Sequence, residues 1–219
     1  MTTGGNIIGK LPMDVPHTDE TRVQENPELI QAFAGLEYYI TTKMDGYSHS
    51  ISVDGDGVHI TGHNYEYMDD GSSVFYNLVN ARGWKMKIQE FADSEGLSLL
   101  TIQGELCAPG IQGNRIRLLK PEWYVFTIRE NGKRVGLRRM QEICAVIGLT
   151  HVPVEEVGTD LPPRYPTVEV LLERADGEYP NGGKKEGIVI RPTEPVFRPL
   201  IGDSLSMKVA SNKYLLKNE

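Results

Sequence analysis

Two stretches of this 219-residue chain are built to fold back on themselves: "YSHSISVDGDGVHITGH", residues 47–63, and "EWYVFTIRENGKRVGL", residues 122–137. Each places β-branched and aromatic residues on both sides of a glycine-bearing turn, and Asn131-Gly132 is a two-residue turn whose twist suits paired strands. In the first stretch Ser48, Ser50 and Ser52 alternate with His49, Ile51 and Val53, the period of a strand. Strands joined this tightly must run antiparallel. Further strand-like runs lie at 36–45 ("LEYYITTKMD"), 97–107 ("LSLLTIQGELC"), 186–192 ("EGIVIRP") and 205–211 ("LSMKVAS"). Helices are expected at 26–35, capped by Asn26 with Pro27 in the first turn, across 73–94 with Gly83 as an interruption, and before Gly148 and Gly177. No regular βαβ rhythm links them. The expected class is α+β, with antiparallel β-sheets flanked by helices. Residues 1–25 read as a loop segment, and residues 26–219 as a single domain with no accessory domain.

No apolar stretch reaches membrane-spanning length, and the first residues lack a secretory apolar core. Cys107 and Cys144 sit among apolar or small residues without metal-ligand spacing, which suits buried thiols in a reducing, cytoplasmic setting. The net charge of −7 argues against a non-specific nucleic-acid coat, since such binding depends on neutralising phosphates. A local basic patch is still compatible with that charge.

Four charged elements recur at strands: Lys43-Met44-Asp45-Gly46, Gly104-Glu105, Glu186-Gly187-Ile188-Val189 and Met207-Lys208-Val209. A charge beside an apolar strand face costs several kcal/mol unless it is paired or bound to a ligand. By spacing alone these charges read more readily as salt bridges or edge positions than as a site.

Taken together and in this order, the elements resemble the motifs of the covalent nucleotidyltransferases: DNA ligases, RNA ligases and mRNA capping enzymes. The nucleophile motif Lys-x-Asp-Gly is matched by Lys43, Asp45 and Gly46, the third motif by Phe126, the fourth by Glu186 to Val189, and the fifth by Lys208. "KMDGYS" with Ser48, "QGELCAPGIQGNR" at 103–115 and "SMKVASNKYLLKNE" at 206–219 bring the likeness closest to ATP-dependent RNA ligases.

That resemblance implies a nucleotidyltransferase core, ATP-grasp-like in its layers, that carries AMP on Lys43. Catalytic roles fall to Lys43, Lys208 and Glu186. Nucleotide contacts fall to Thr42, Asp45, Gly46, Ser48, Glu105 at the ribose, Phe126 stacked on adenine and Lys213 at pyrophosphate. Asp45, Glu105 and Glu186 are the expected ligands of Mg²⁺ or Mn²⁺. ATP would be the cofactor, RNA with 5′-phosphate and 3′-hydroxyl ends the partner, and the chain a monomer. Phe126 also reads as an ordinary core aromatic, and Lys213 as a surface residue. Arg115, Lys184 and Lys185 read either as phosphate contacts or as solvated cations. Gly62-His63-Asn64 stands where relatives carry Ser-Arg-Asn. DNA ligase, capping enzyme and a silent nucleotide- or RNA-binding module are the alternatives. A free lysine titrates near 10.4, so a lysine nucleophile needs surroundings that favour the neutral amine.

Overall fold

The computed structural model describes residues 5–12, 15–198 and 202–212. Along the chain come β1 (Ile7–Lys10), β2 (Glu37–Lys43), β3 (Tyr47–Asp54), β4 (Gly57–Thr61), β5 (Tyr65–Tyr67), α1 (Val74–Arg82), α2 (Trp84–Ser94) and β6 (Leu100–Cys107). They are followed by β7 (Glu122–Glu130), β8 (Lys133–Arg134), α3 (Leu137–Ile147), β9 (Thr150–His151), β10 (Val154–Thr159), α4 (Leu161–Arg164), α5 (Val168–Ala175), β11 (Gly187–Pro192), β12 (Phe197–Arg198), β13 (Asp203–Ser204) and β14 (Met207–Ala210).

The larger sheet runs β1-β5-β4-β3-β6-β7-β8, with β9 added parallel to β7. Both hairpins lie in it. Asn131 (φ 49°) and Gly132 (φ 78°) are both left-handed, as a turn of that twist requires. A smaller sheet runs β10-β2-β11-β14, antiparallel throughout. The α+β class with antiparallel sheets is therefore what the chain adopts.

Each sheet buries one face under helices. On the larger sheet Ile51, Ile102 and Trp123 pack with Phe75 of α1, Ile88 of α2 and Met140 of α3. On the smaller, Tyr38, Ile40, Ile188 and Ile190 pack with Leu171 of α5 and with Phe33. Fully burying an aliphatic or aromatic side chain of this size contributes about 1.5–3 kcal/mol, so these two cores fix both sheets. Their opposite faces enclose a cleft.

Three local expectations change. The helix at 26–35 is a 3-10 segment, Pro27–Phe33, and Asn26 makes no side-chain cap bond. Its buried residues, Ile30 and Phe33, are three apart, the spacing that eclipses on a three-residue turn. α5 ends at Asp176 in extended conformation rather than on a left-handed Gly177. The opening segment, expected as loop, contributes β1, paired with β5 at the edge of the larger sheet.

Candidate active site

The register of the smaller sheet determines which side chains share the cleft. Lys43 stands opposite Gly187, Thr41 opposite Val189, and Val189 opposite Lys208. Strand side chains alternate between faces, so Thr41, Lys43, Val189, Arg191 and Lys208 point the same way, while Ile40, Ile188, Met207 and Val209 face the core. Thr41, Lys43, Val189, Arg191 and Lys208 all line one cavity of about 200 Å³. Ser48, Glu105 and Phe126 line it from the larger sheet, so it lies between the two sheets. Lys43 and Lys208 are two strands and two residues apart, about 10 Å across and 7 Å along the sheet. That separation lets two long cationic side chains reach one phosphate chain between them.

Lys43 Nζ lies 2.6 Å from Glu186 Oε1, with both side chains mostly covered. The pair sits where β2 and β11 end their register, at Gly187. Gly187 has φ +152°, and a Cβ there would come within 2.0 Å of the Val209 carbonyl oxygen. A side chain at 187 would push β11 off β14 and carry Glu186 with it.

Gly46 follows the same logic. A Cβ at this position would meet the Leu106 carbonyl oxygen at 2.2 Å. Its amide donates to Glu105 Oε1 at 3.1 Å, which holds that carboxyl beside the 43–46 segment. Glu105 is pushed up to about 7: burial is the largest cause, Lys43 opposes it, and Glu186 and Asp45 add to it. Burial first, and then the two further carboxylates, favour the protonated form of Glu105 near neutral pH.

Asp45, Glu105 and Glu186, the expected metal ligands, influence one another electrostatically at Glu105. Among the described residues no group of three or more His, Cys, Asp or Glu is arranged to hold an ion. Asp45 is buried, and its Oδ2 accepts from Arg115 Nη1 at 2.6 Å, a pairing that spends the carboxylate on the fold. Arg115, open in the sequence as a phosphate contact or a solvated cation, is a partner of Asp45. Glu105 and Glu186 remain, and their mutual repulsion fits a cation shared with ligand phosphates, the manner in which Mg²⁺ is usually held.

The other expected residues divide clearly. Ser48 and Phe126 line the cavity, and Ser48 Oγ lies 2.7 Å from Thr18 Oγ1. Thr42 lines it too, but its hydroxyl donates to Glu155 Oε1 at 2.7 Å. Lys185, which sequence left open as a phosphate contact, is buried against the same Glu155 at 2.9 Å, and Lys184 pairs with Glu178 at 2.7 Å. His63 reaches the cavity with its ring 5.4 Å from that of His17. Lys213 lies outside the described residues.

Sequence reading missed Arg191, Glu20 and Tyr179. Arg191 donates to Glu20, to the Phe126 carbonyl and to Ser206 Oγ (3.0 Å), so it ties segment 18–20 and Phe126 to the cavity wall. Burial is the largest influence on Glu20, yet Arg191 and Arg134 hold its carboxyl below the usual range. The alternation Gly187, Val189, Arg191 carried the signal for Arg191. Tyr179, in the turn-like "GEYPNGG", carried none.

Residues 36–213 match the RNA ligase family. Among solved structures, a lysine-to-alanine variant of Naegleria gruberi RNA ligase with ATP and Mn aligns at a TM-score of 0.86 and 24% identity, over 99% of this chain and 61% of that one. The same enzyme with PPi aligns at 0.84 and 26%, over 99% and 62%. A lysine-to-methionine variant with AMP and Mn gives 0.85 and 24%, over 99% and 62%. The chain thus spans about three-fifths of the length of the solved structures it matches. No curated protein matches it. No described helix is long and apolar enough to cross a membrane. The family match takes in Lys43, Glu105, Phe126, Glu186 and Lys208, and the chain belongs to the RNA ligase family.

Proposed function

We propose that this chain is the adenylylating core of an ATP-dependent RNA ligase, with Lys43 as its nucleophile and residues 26–219 as the catalytic unit. The observation that carries the reading is the Lys43–Glu186 pair at 2.6 Å, on the wall of a cavity that Lys208 also lines. The Lys43 amine attacks the α-phosphorus of ATP; the N–P bond forms as the bond to pyrophosphate breaks. Glu186, already hydrogen-bonded to the amine, is the nearest acceptor for the proton the amine sheds. Lys208 offsets the negative charge that develops on the phosphates. Phe126 offers an aromatic face to the base, and Glu105 an acceptor to the ribose hydroxyls. Asp45 acts through Arg115 on the shape of the nucleophile loop.

A divalent ion, Mg²⁺ or Mn²⁺, held by Glu105 and Glu186 together with the phosphates, would supply charge neutralisation there. A 5′-phosphate oxygen of RNA then attacks the phosphorus on Lys43, which frees the amine and leaves AMP on the RNA end. A 3′-hydroxyl displaces AMP and forms the phosphodiester. We take the protein to act as a monomer in the cytoplasm, a setting that two buried free thiols suit.

Incubation with ATP labelled at the α-phosphate tests this. Label stays on the protein in the presence of a divalent ion, is lost in Lys43→Ala, and falls at least about 100-fold in Lys208→Ala with an unchanged circular dichroism spectrum. Absence of label on the wild-type protein would favour a silent nucleotide- or RNA-binding module instead.

A further inference from the structure

One hydroxyl joins the two halves of the candidate nucleophile pair. Tyr179 Oη donates to the Lys43 carbonyl at 2.8 Å and accepts from the Glu186 amide at 3.2 Å. These backbone groups lie where the β2–β11 register stops, so the phenol continues the connection for one step past the last paired residues, Lys43 and Gly187. The ring is 3% exposed and packs in a small cluster with Met44, Cys107, Ile116 and Val152. Its own backbone closes a tight loop: the Tyr179 amide donates to the Gly183 carbonyl at 2.8 Å, and the Gly182 amide to the Tyr179 carbonyl at 2.8 Å. That loop is pinned in turn, because a Cβ on Gly183 would come within 2.0 Å of the Arg115 carbonyl oxygen. Arg115 holds Asp45, two residues beyond Lys43. The phenol therefore stands where the nucleophile strand, the Glu186 strand and the 109–121 loop meet.

We infer that Tyr179 is a positioning residue for lysine adenylylation: its hydroxyl sets the Lys43 and Glu186 backbones relative to one another and thereby aims the amine. The inference rests on the reading of Lys43 as the nucleophile. The sheet already holds both strands through five further register pairs, from Ile188↔Thr42 to Pro192↔Tyr38. Removing the hydroxyl leaves the fold in place and loosens only the last step. A reacting amine held less closely loses rate rather than nucleotide affinity, since misplacement of a reacting atom by about 1 Å costs up to about 100-fold.

Tyr179→Phe keeps the ring and its packing. Under single turnover with α-labelled ATP, we expect the rate at saturating ATP to fall about tenfold. The half-saturating ATP concentration stays within about twofold and the final amplitude matches wild type. Release of ATP from the labelled protein by added pyrophosphate slows by the same factor, because the bridge acts on the transition state in both directions. A purely structural role would instead lower the amplitude, in proportion to the fraction misfolded, and leave the rate constant alone. That result, or wild-type rates in both directions, overturns the inference. Should Tyr179→Phe fail to fold, Tyr179→4-aminophenylalanine, whose para nitrogen can donate to the Lys43 carbonyl and accept from the Glu186 amide on a ring of the same size, must recover amplitude and part of the rate, and failure to do so counts against the positioning role. A wild-type protein that takes no label at all sinks the reading of Lys43 instead, so the two failures are distinguishable.

Discussion

Glu105 changes protonation close to neutral pH, and the sign of its effect is fixed by burial. Its folded-state value, about 7, lies above the ordinary 4.5 of an unfolded glutamate. The folded chain then binds more protons between those values, and its stability falls as pH rises from about 4.5 to 7. His59 acts in the same direction: burial opposes its charge, but Glu66 and Asp54 raise it overall, so its contribution is also lost as pH rises through the raised value. Buried His49, held down at about 4, acts in the opposite direction below about 6.5, so the test is a difference: in denaturant melts of the ligand-free protein, wild-type stability should fall relative to that of Glu105→Gln as pH rises from 5 to 7. ATP with Mg²⁺ brings positive charge to the same carboxyl, so calorimetry in buffers of different ionisation enthalpy should detect proton release on binding at pH 7, absent in Glu105→Gln. A pH profile common to both proteins would contradict the account of Glu105.

At the scale of elements, two glycines fix where charged side chains emerge from strands. Gly46 lets the nucleophile loop touch β6, and Gly187 lets β11 touch β14. Alanine at either position must move backbone rather than a flexible side-chain tip, which costs about 2–4 kcal/mol. Both Gly46→Ala and Gly187→Ala should lower the denaturation midpoint and reduce labelling more than the lost folded fraction explains. Normal stability with normal labelling would show that these approaches are not required. Much of this level was legible beforehand. The hairpins at 54–57 and 131–132, the breaks at Gly83 and Gly148, and the alternation that puts Lys43 on one face of β2 are all local signals. What was hidden is long-range: Tyr179 meets Lys43 across 136 residues, and Arg191 meets Glu20 across 171. Alternation distinguishes the two faces of β3 but says nothing of what covers each, so the polar face of Ser48 and Ser50 gave no hint of a cleft. The partner of Asp45 was hidden for a related reason: its spacing from Lys43 is a motif, but its pairing with Arg115 depends on how a distant loop returns.

At the scale of the molecule, the two larger sheets are each anchored by their own apolar core, with the charged strand ends gathered in the gap between them, and β12 and β13 pair as a small third sheet. Neither sheet alone offers the site: Lys43, Glu186 and Lys208 come from the smaller, Ser48, Glu105 and Phe126 from the larger. An overall charge of −7 is compatible with this plan, since Lys43, Arg191 and Lys208 all line the cleft. The central claim is that the Lys43 amine becomes covalently bonded to AMP. Peptide mapping by mass spectrometry, after incubation with ATP and Mg²⁺, tests it most directly. The account predicts one adenylyl group, on the peptide containing Lys43 and on that side chain. An unmodified Lys43, or an adduct on a different residue, would contradict it.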